Sequence, residues 1–226
     1  MSMTPRERWS AVLNGDSPDR VPADYWGTDE VTARLLKDLT CATEDELWRK
    51  LRVDRTHAVA PRFIGPQPEP GKDIWGVTYR EQRYGENLGS YLEVEYHPLA
   101  EMTELAELED HKWPDADWFD YSEIRHDLEK LEEWPVMAGH YEPLLYYSAL
   151  RGFERMLMDL SVAPEFAERV LQKIFEFLYE YTKRIFEAAG EQGGILYTYV
   201  AEDLGTQSGL LISLEMIDRF LIPRMQ

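Results

Sequence analysis

The stretch that decides the fold runs from Gly193 to Gly209 and reads Gly-Gly-Ile-Leu-Tyr-Thr-Tyr-Val-Ala-Glu-Asp-Leu-Gly-Thr-Gln-Ser-Gly. An apolar, β-branched and aromatic run, 195–200, follows a glycine pair and leads to two adjacent carboxylates, Glu202 and Asp203. This pattern is typical of a buried parallel strand that delivers polar groups to the edge of an α/β sheet. Because sites in such folds lie beyond the carboxyl ends of the strands, the two acids are the first candidate functional residues. The alternative is that they only cap a helix or solvate a turn.

Composition limits the class of protein. The chain has 226 residues, of which 44% are hydrophobic, enough for one sizeable core or two small ones. Its 43 acidic residues outnumber 24 basic ones and give a net charge of −19, which disfavours binding to nucleic acid and to anionic membranes. The single cysteine, Cys41, excludes an internal disulfide framework and favours a reducing compartment. With no apolar stretch of roughly 20 residues and no signal-peptide pattern, the sequence predicts a cytoplasmic protein.

The periodicity of the rest of the chain predicts alternating strands and helices. Core strands are expected at 21–27, 53–63, 134–140 and 195–200, and helices at 4–14, 28–39, from 43 onward, 103–110, 122–133, 142–160, 163–189 and 213–222. Segments 73–80 and 90–97 alternate with a two-residue period around a turn rich in Gly and Asn, which predicts an inserted β-hairpin. Four strands that alternate with helices indicate parallel βα units, in a barrel or a doubly wound sheet. No Gly-rich dinucleotide fingerprint and no P-loop is present.

Histidines and aromatic residues near the predicted strand ends are further candidates. His140 falls at the carboxyl end of the third strand, where catalytic groups collect, although a lone histidine is more often structural. His57 lies inside the second strand and is interpreted as a hydrogen-bonded structural residue. Tyr25 and Trp26, at the end of the first strand, are expected to line a pocket or to pack in the core.

Several segments together resemble the uroporphyrinogen decarboxylase superfamily, which includes corrinoid-linked methyltransferases that act on methylcobamide and coenzyme M. They are Thr4-Pro-Arg-Glu-Arg8, Asn14-Gly15, Pro18-Asp-Arg-Val-Pro22, Asp73-Ile-Trp-Gly-Val77, Trp113-Pro-Asp115, Arg151-Gly-Phe-Glu154, Asp203-Leu-Gly-Thr-Gln207 and Phe220-Leu-Ile-Pro-Arg224. Their order spans the whole chain.

The resemblance implies a TIM (β/α)8 barrel whose site lies at the C-terminal mouth. Since members of the family are longer, it implies that residues 1–226 form a single, C-terminally truncated domain of about half a barrel, four βα units with the inserted hairpin. Such a half is expected to be inactive alone and to form a homo-oligomer or to pair with a complementing C-terminal half. An unclosed sheet exposes an edge and an apolar face, which supports this expectation.

Two departures from the decarboxylase branch favour the methyltransferase branch. Decarboxylases carry an Arg-Gln-Ala-Gly-Arg segment after the first strand, where this chain has Asp24-Tyr-Trp-Gly-Thr28. They also place an aspartate at the end of the second strand, and the corresponding segment, Ala60-Pro-Arg-Phe63, has none. The methyltransferase branch uses a zinc ion held by a His-x-Cys pair and a later Cys, which in the family lie beyond Gln226. No metal ligands are therefore expected here, and zinc and a corrinoid are expected only in a full-length relative.

The resemblance also suggests roles for individual residues. Glu202 and Asp203 position the substrate or take a proton, and Tyr147 and His140 line the mouth. Tyr146 and Tyr147 are both near matches to the family's catalytic tyrosine, and the choice between them stays open. The residues expected to contact a small-molecule, tetrapyrrole or corrinoid substrate are Tyr25, Trp26, Tyr146 and Gln207.

The leading hypothesis is methyl transfer between a corrinoid or a methylated small molecule and an acceptor. The first alternative is decarboxylation of uroporphyrinogen or another tetrapyrrole, which rests on fold analogy. The second is a non-catalytic half-barrel that needs a partner chain.

Overall fold

The computed structural model describes residues 2–83, 85, 89–191 and 193–225, which form a mixed α/β fold with a parallel sheet. The helices are α1 (Pro5–Leu13), α2 (Asp29–Asp38), α3 (Glu44–Leu51), α4 (Leu105–Asp110), α5 (Ile124–Lys130), α6 (Pro143–Arg151), α7 (Phe153–Val162), α8 (Pro164–Ala189), α9 (Leu214–Phe220) and α10 (Ile222–Met225). The strands are β1 (His57–Ala58), β2 (Arg62–Phe63), β3 (Thr78–Arg83), β4 (Ser90–Tyr96), β5 (Phe119–Asp120), β6 (Val136–Tyr141) and β7 (Tyr197–Val200). No helix in the described part of the chain has both the length and the apolar character needed to cross a bilayer.

The parallel sheet has the order β1-β6-β7, with β6 at its centre. His57 is in register with Val136, and Tyr199 with His140. Because the strands are parallel, their carboxyl ends lie at one edge of the sheet, and β6 and β7 deliver their following residues to the same place. The predicted parallel arrangement of the third and fourth strands is confirmed.

Helix α8 covers one face of the sheet and forms the centre of the core. Its apolar residues recur every three or four positions, and Val170, Leu171 and Ile174 are fully buried. Each such side chain stabilises the fold by about 1.5–3 kcal/mol relative to an exposed position. Pro164 starts the helix, and Gly190, with φ +75°, ends it, as predicted.

The predicted first strand, 21–27, is wrong, because the segment belongs to no strand. Pro22 has no amide hydrogen to donate. Ala23 is held by Asp54, whose carboxylate accepts from the Ala23 amide at 3.0 Å and whose own amide donates to the Ala23 carbonyl at 2.6 Å. Asp24 likewise accepts from the Thr56 amide at 3.0 Å. This segment is thus held by one backbone bond to Asp54 and by the carboxylates of Asp54 and Asp24, without a ladder of backbone bonds.

The predicted second strand, 53–63, is divided. Only β1 joins the parallel sheet, and β2, beyond Pro61, pairs antiparallel with β5. The His57 ring packs on Trp134 with centroids 5.3 Å apart, and burial lowers the pKa of this histidine. Its Nε2 is buried without a hydrogen-bond partner among the described residues, so the interpretation as a hydrogen-bonded residue is wrong for this atom.

The predicted helix over 142–160 is two helices. Gly152, with φ +87°, separates α6 from α7, since this left-handed conformation is strained for any residue with a side chain. The hairpin is confirmed: β3 and β4 pair antiparallel, from Thr78 with Tyr96 to Arg83 with Ser90. Asn87 of the predicted turn lies outside the described residues.

Candidate functional site

Glu202 lies just beyond β7 and reaches the first turn of α6. Its carboxylate oxygen Oε1 accepts a hydrogen bond from the Leu144 amide at 2.7 Å. That amide is one of the donors that a helix start leaves without an intrahelical partner, so the acid does cap a helix, namely the one that precedes it in the chain. The capping alternative and the functional one therefore apply to the same residue.

The surroundings of Glu202 hold its pKa at about 7, far above the usual 4.5. Burial of the carboxyl is the main cause, because it penalises the charged form. The hydrogen bond from Leu144 opposes the shift, and the nearby negative charges of Glu142 and Asp203 add to it. Near neutral pH this carboxyl is therefore poised to take up or release a proton.

The Glu202 carboxyl faces a cavity of about 170 Å³, here called the Glu202 cavity. Residues of α6, α7 and the segment after β7 line it: Glu142, Leu144, Leu145, Ser148, Phe153, Met156, Glu202, Asp203 and Leu211. Five of these residues are apolar and three are acids, with no basic side chain among them. The cavity thus combines apolar walls with carboxylates at the carboxyl ends of the central strands.

His140 and Glu142 form a hydrogen-bonded pair beside this cavity. The imidazole Nε2 of His140 lies 2.7 Å from Glu142 Oε2. A register shift between Met137 and His140 places the histidine at this edge, and Gly139 permits it with φ +80°. A Cβ at position 139 would lie 2.6 Å from a methyl carbon of Thr182 on α8, so the strand approaches the helix more closely than a side chain allows.

A row of aromatic rings runs across the strand ends from this pair, with Trp26 and His140 exposed and Tyr199 half-buried. The Tyr199 ring lies 5.1 Å from the His140 ring and 6.5 Å from the Trp26 ring, centroid to centroid. Trp26 is 82% exposed. We call Trp26, Tyr199 and His140 the aromatic row. Because His140 also contacts Glu142, the row and the Glu202 cavity are continuous.

The other predicted site residues are divided between this region and the core. Asp203 lines the cavity and is exposed. Gln207 is exposed in the loop closed by the Gly205–Leu210 bridge and is not among the residues that line the cavity. Tyr25 turns away: its ring packs on Trp48 at 4.6 Å, so its expected pocket role gives way to core packing.

The two candidate tyrosines do not reach the mouth. Tyr147 is 0% exposed, and its hydroxyl donates to Asp159 at 2.9 Å. Burial raises the pKa of the Tyr147 hydroxyl far above its usual range. Tyr146 is half-buried and packs on Trp75 with centroids 5.0 Å apart. The helical spacing carries both rings inward, and the prediction that Tyr147 lines the mouth is wrong.

Three residues at this edge escaped the sequence analysis: Glu142, Ser148 and Tyr199. A signal existed for Glu142, since an acid between a predicted strand and a proline marks a helix start. Tyr199 reads as an ordinary strand residue, and Ser148 as an ordinary helical one. Among the described residues, no group of three or more His, Cys, Asp or Glu side chains is arranged to hold a metal ion.

Comparisons with known proteins give a likeness of fold. No family model matches the sequence, and no curated protein matches it. The structure is similar to that of a methyltransferase from Methanosarcina mazei, with a TM-score of 0.60 and 18% sequence identity. The similarity covers 99% of this chain and 65% of that one, so this chain spans about two thirds of the length of that protein.

Proposed function

We propose that this chain is part of a TIM barrel of the uroporphyrinogen decarboxylase superfamily and serves methyl transfer between a corrinoid or a methylated small molecule and an acceptor. The parallel β1-β6-β7 sheet, covered by α8, and the likeness to a methyltransferase support this proposal. The sequence motifs that resemble the superfamily support the family assignment, and the two departures from the decarboxylase pattern, at Asp24–Thr28 and Ala60–Phe63, favour the methyltransferase branch.

The observation that carries the proposal is the Glu202 carboxyl in the wall of a small apolar cavity, with a pKa of about 7. An acceptor with a thiol or hydroxyl must lose its proton as it becomes methylated. A carboxylate whose pKa is near the working pH can take that proton and later release it to water. An exposed carboxylate with an ordinary pKa would be a much weaker base.

The carboxylate of Glu202 takes the proton from the acceptor's S–H or O–H group, and the acceptor atom forms a bond to the methyl carbon. The bond between that carbon and the donor atom breaks, and the donor atom keeps the electron pair. Glu202 holds the proton, while the apolar cavity walls exclude the water that would compete for the methyl group.

A macrocycle is more easily accommodated at the open aromatic row than in the cavity, although neighbouring rings of the row are tilted by 44° to each other, so that one ring would stack on a planar group and the others would contact it at an angle. At about 170 Å³ the Glu202 cavity is smaller than the roughly 300–1,000 Å³ of common ligand sites and suits a small acceptor. Trp26, Tyr199 and His140 would hold a corrinoid by stacking, and such a group supplies a transferable methyl when bound. The described residues do not fit a zinc site, and no step is assigned to zinc.

The charge of the cavity argues against a tetrapyrrole decarboxylase. Uroporphyrinogen carries many carboxylates, and three acids line the cavity without a lysine or arginine. Like charges at close range repel and would weaken the binding of such a substrate.

A second copy of this chain or a complementing half is proposed to cover the sheet, whose edges are formed by β1 and β7 within the described residues.

The test is a methyl-transfer assay of the assembled protein, the chain as an oligomer or together with a complementing C-terminal half. Methylcobalamin is the donor and 2-mercaptoethanol the acceptor, and the S-methyl product is measured by mass spectrometry. We expect product formation to rise with pH around a midpoint near 7, as Glu202 loses its proton. Glu202→Gln should lower the rate at least about 100-fold, because an amide cannot take the proton. The control Glu215→Gln, an exposed acid in the first turn of α9, should leave the rate unchanged. Full activity of Glu202→Gln would refute the proposed base.

Trp26→Ala tests the aromatic row in the same system. Loss of a stacking ring should weaken methylcobalamin binding severalfold, measured by equilibrium ultrafiltration, and should leave the pH midpoint in place. If methylcobalamin does not bind to the chain, alone or as an oligomer, the corrinoid part of the proposal is wrong.

A further inference from the structure

Ser148 is the uncharged polar residue among those that line the Glu202 cavity, and the proposed step gives it no role. It lies four residues after Leu144 on α6, and residues with this spacing share one face of a helix. Its side chain is half-buried and lines the same cavity as the Glu202 carboxyl. The Ser148 hydroxyl makes no hydrogen bond with another described residue, although helical serines can bond the carbonyl one turn earlier.

The other polar groups of the cavity already have partners or lie at its mouth. Glu142 is paired with His140, Glu202 accepts from Leu144, and Asp203 is exposed to solvent. The rest of the lining is alkyl or aromatic, with Leu144 and Met156 buried and Phe153 52% exposed. A ligand in this space therefore meets an apolar wall and two groups able to hydrogen-bond it, the Ser148 hydroxyl and the Glu202 carboxyl.

We propose that Ser148 and Glu202 together bind the single polar end of a small, non-anionic aliphatic substrate, whose alkyl part lies against Leu144, Phe153 and Met156. The inference rests on the proposed function in calling this ligand the substrate. A hydroxyl donates and accepts, so Ser148 can bond an alcohol, a thiol or an amine. Anions are excluded because they would lie close to three carboxyl groups without a compensating cation among the lining residues.

Three probes that share a tert-butyl group and differ in the charge of their polar end test this inference: tert-butanol, tert-butylammonium and pivalate. Their binding to the intact chain is measured at pH 8 by NMR titration, without a methyl donor. We expect tert-butanol and tert-butylammonium to bind and pivalate to bind at least about tenfold more weakly. Ser148→Ala should weaken tert-butanol about threefold to tenfold, as the loss of one hydrogen bond predicts. Ser148→Thr should retain the affinity, because it keeps a hydroxyl.

The matched control is Ser161→Ala, an exposed serine on α7 that does not line the cavity, and it should bind all probes like the parent chain. Circular dichroism of each variant checks that the helix content of the chain is unchanged. Equal affinity of Ser148→Ala for tert-butanol, tight pivalate binding, or no binding of any probe would overturn the inference. If the probes bind as expected and methyl transfer fails, only the proposed function is wrong. If methyl transfer occurs and the binding pattern fails, only this inference is wrong.

Discussion

Two carboxyl groups at opposite ends of the α6–α7 pair are treated in contrasting ways. Asp159 of α7 is buried and accepts from Arg151 Nε at 2.7 Å and from the Tyr147 hydroxyl at 2.9 Å. These three residues are here called the Asp159 cluster. Glu202, at the other end, has one amide donor and two acids nearby. The first carboxyl is compensated by a full charge, and the second is not.

The two carboxyl groups differ in the role that their surroundings suit: a structural role for Asp159 and proton transfer for Glu202. Arg151 also donates to the carbonyls of Leu99 and Met102, at 2.5 and 2.6 Å, so the Asp159 cluster joins α6 and α7 to the segment before α4. Such a matched group fixes a geometry but has no free capacity for chemistry. The carboxyl of Glu202, half-buried and without a cation beside it, instead has a raised pKa, which is the property that a proton-transfer group needs.

The largest effect is expected when the Asp159 cluster loses its cation. Arg151→Met would leave Asp159 buried and unpaired, which should destabilise the chain by about 3–5 kcal/mol. Urea unfolding measures this change. The control is Arg155→Met, at an exposed arginine of α7 that pairs with Glu101, and it should cost less than about 1 kcal/mol. Similar values for the two variants would mean that the cluster is not the structural element described here.

A smaller effect is expected from Tyr147→Phe. The change removes one hydrogen bond to a carboxylate and should cost about 1.5–3 kcal/mol in the free energy of unfolding. Since Tyr147 is remote from solvent, methyl transfer per folded molecule should not change. A rate loss of 100-fold without a loss of stability would restore the catalytic role that the family resemblance implies.

Glu202→Gln should change the free energy of unfolding in the opposite direction and stabilise the chain. The pKa of Glu202 is about 7 in the folded chain and about 4.3 in an unfolded one, so the folded state binds more protons between these values. Stability from this group is thus present below about pH 4 and is lost as pH rises to 7. The carboxyl is partly exposed, so Glu202→Gln should be more stable than the parent by only about 1 kcal/mol at pH 8. Thermal unfolding at pH 5 and pH 8 tests this, because the advantage should shrink at the lower pH.

The smallest effect is expected from His140→Gln. The exposed pair of His140 and Glu142 should contribute less than about 1 kcal/mol to stability. Removing the imidazole takes away a partner of Glu142, whose negative charge raises the pKa of Glu202. The midpoint of the rate–pH profile should therefore move upward by a few tenths of a unit. A downward shift would show that His140 does not act through Glu142.

The elements that the sequence predicted best are those whose signals are local. The cap of α1 is one example, in which Thr4 accepts from the Glu7 amide while Glu7 accepts from the Thr4 amide. The long α8 and the strand β7 followed by Glu202 and Asp203 are others. The prediction of the first strand failed because residues 21–27 make one backbone bond to Asp54 and are held by the Asp54 and Asp24 carboxylates. The periodicity of a sequence does not show such contacts.

The sequence by itself determined where the candidate site lies, at the end of a buried parallel strand that is followed by two acids. It could do so because alternation and apolar runs are local properties of a sequence. Only the tertiary structure decided which of the candidate groups meet. Glu202 lies against Leu144, 58 residues earlier in the chain, and this contact and the burial around it set its pKa. Tertiary packing also decides that Tyr147 is not part of the candidate site. Whether its hydroxyl faces solvent or Asp159 depends on how α6 packs on α7, and this packing depends on the geometry of the whole fold.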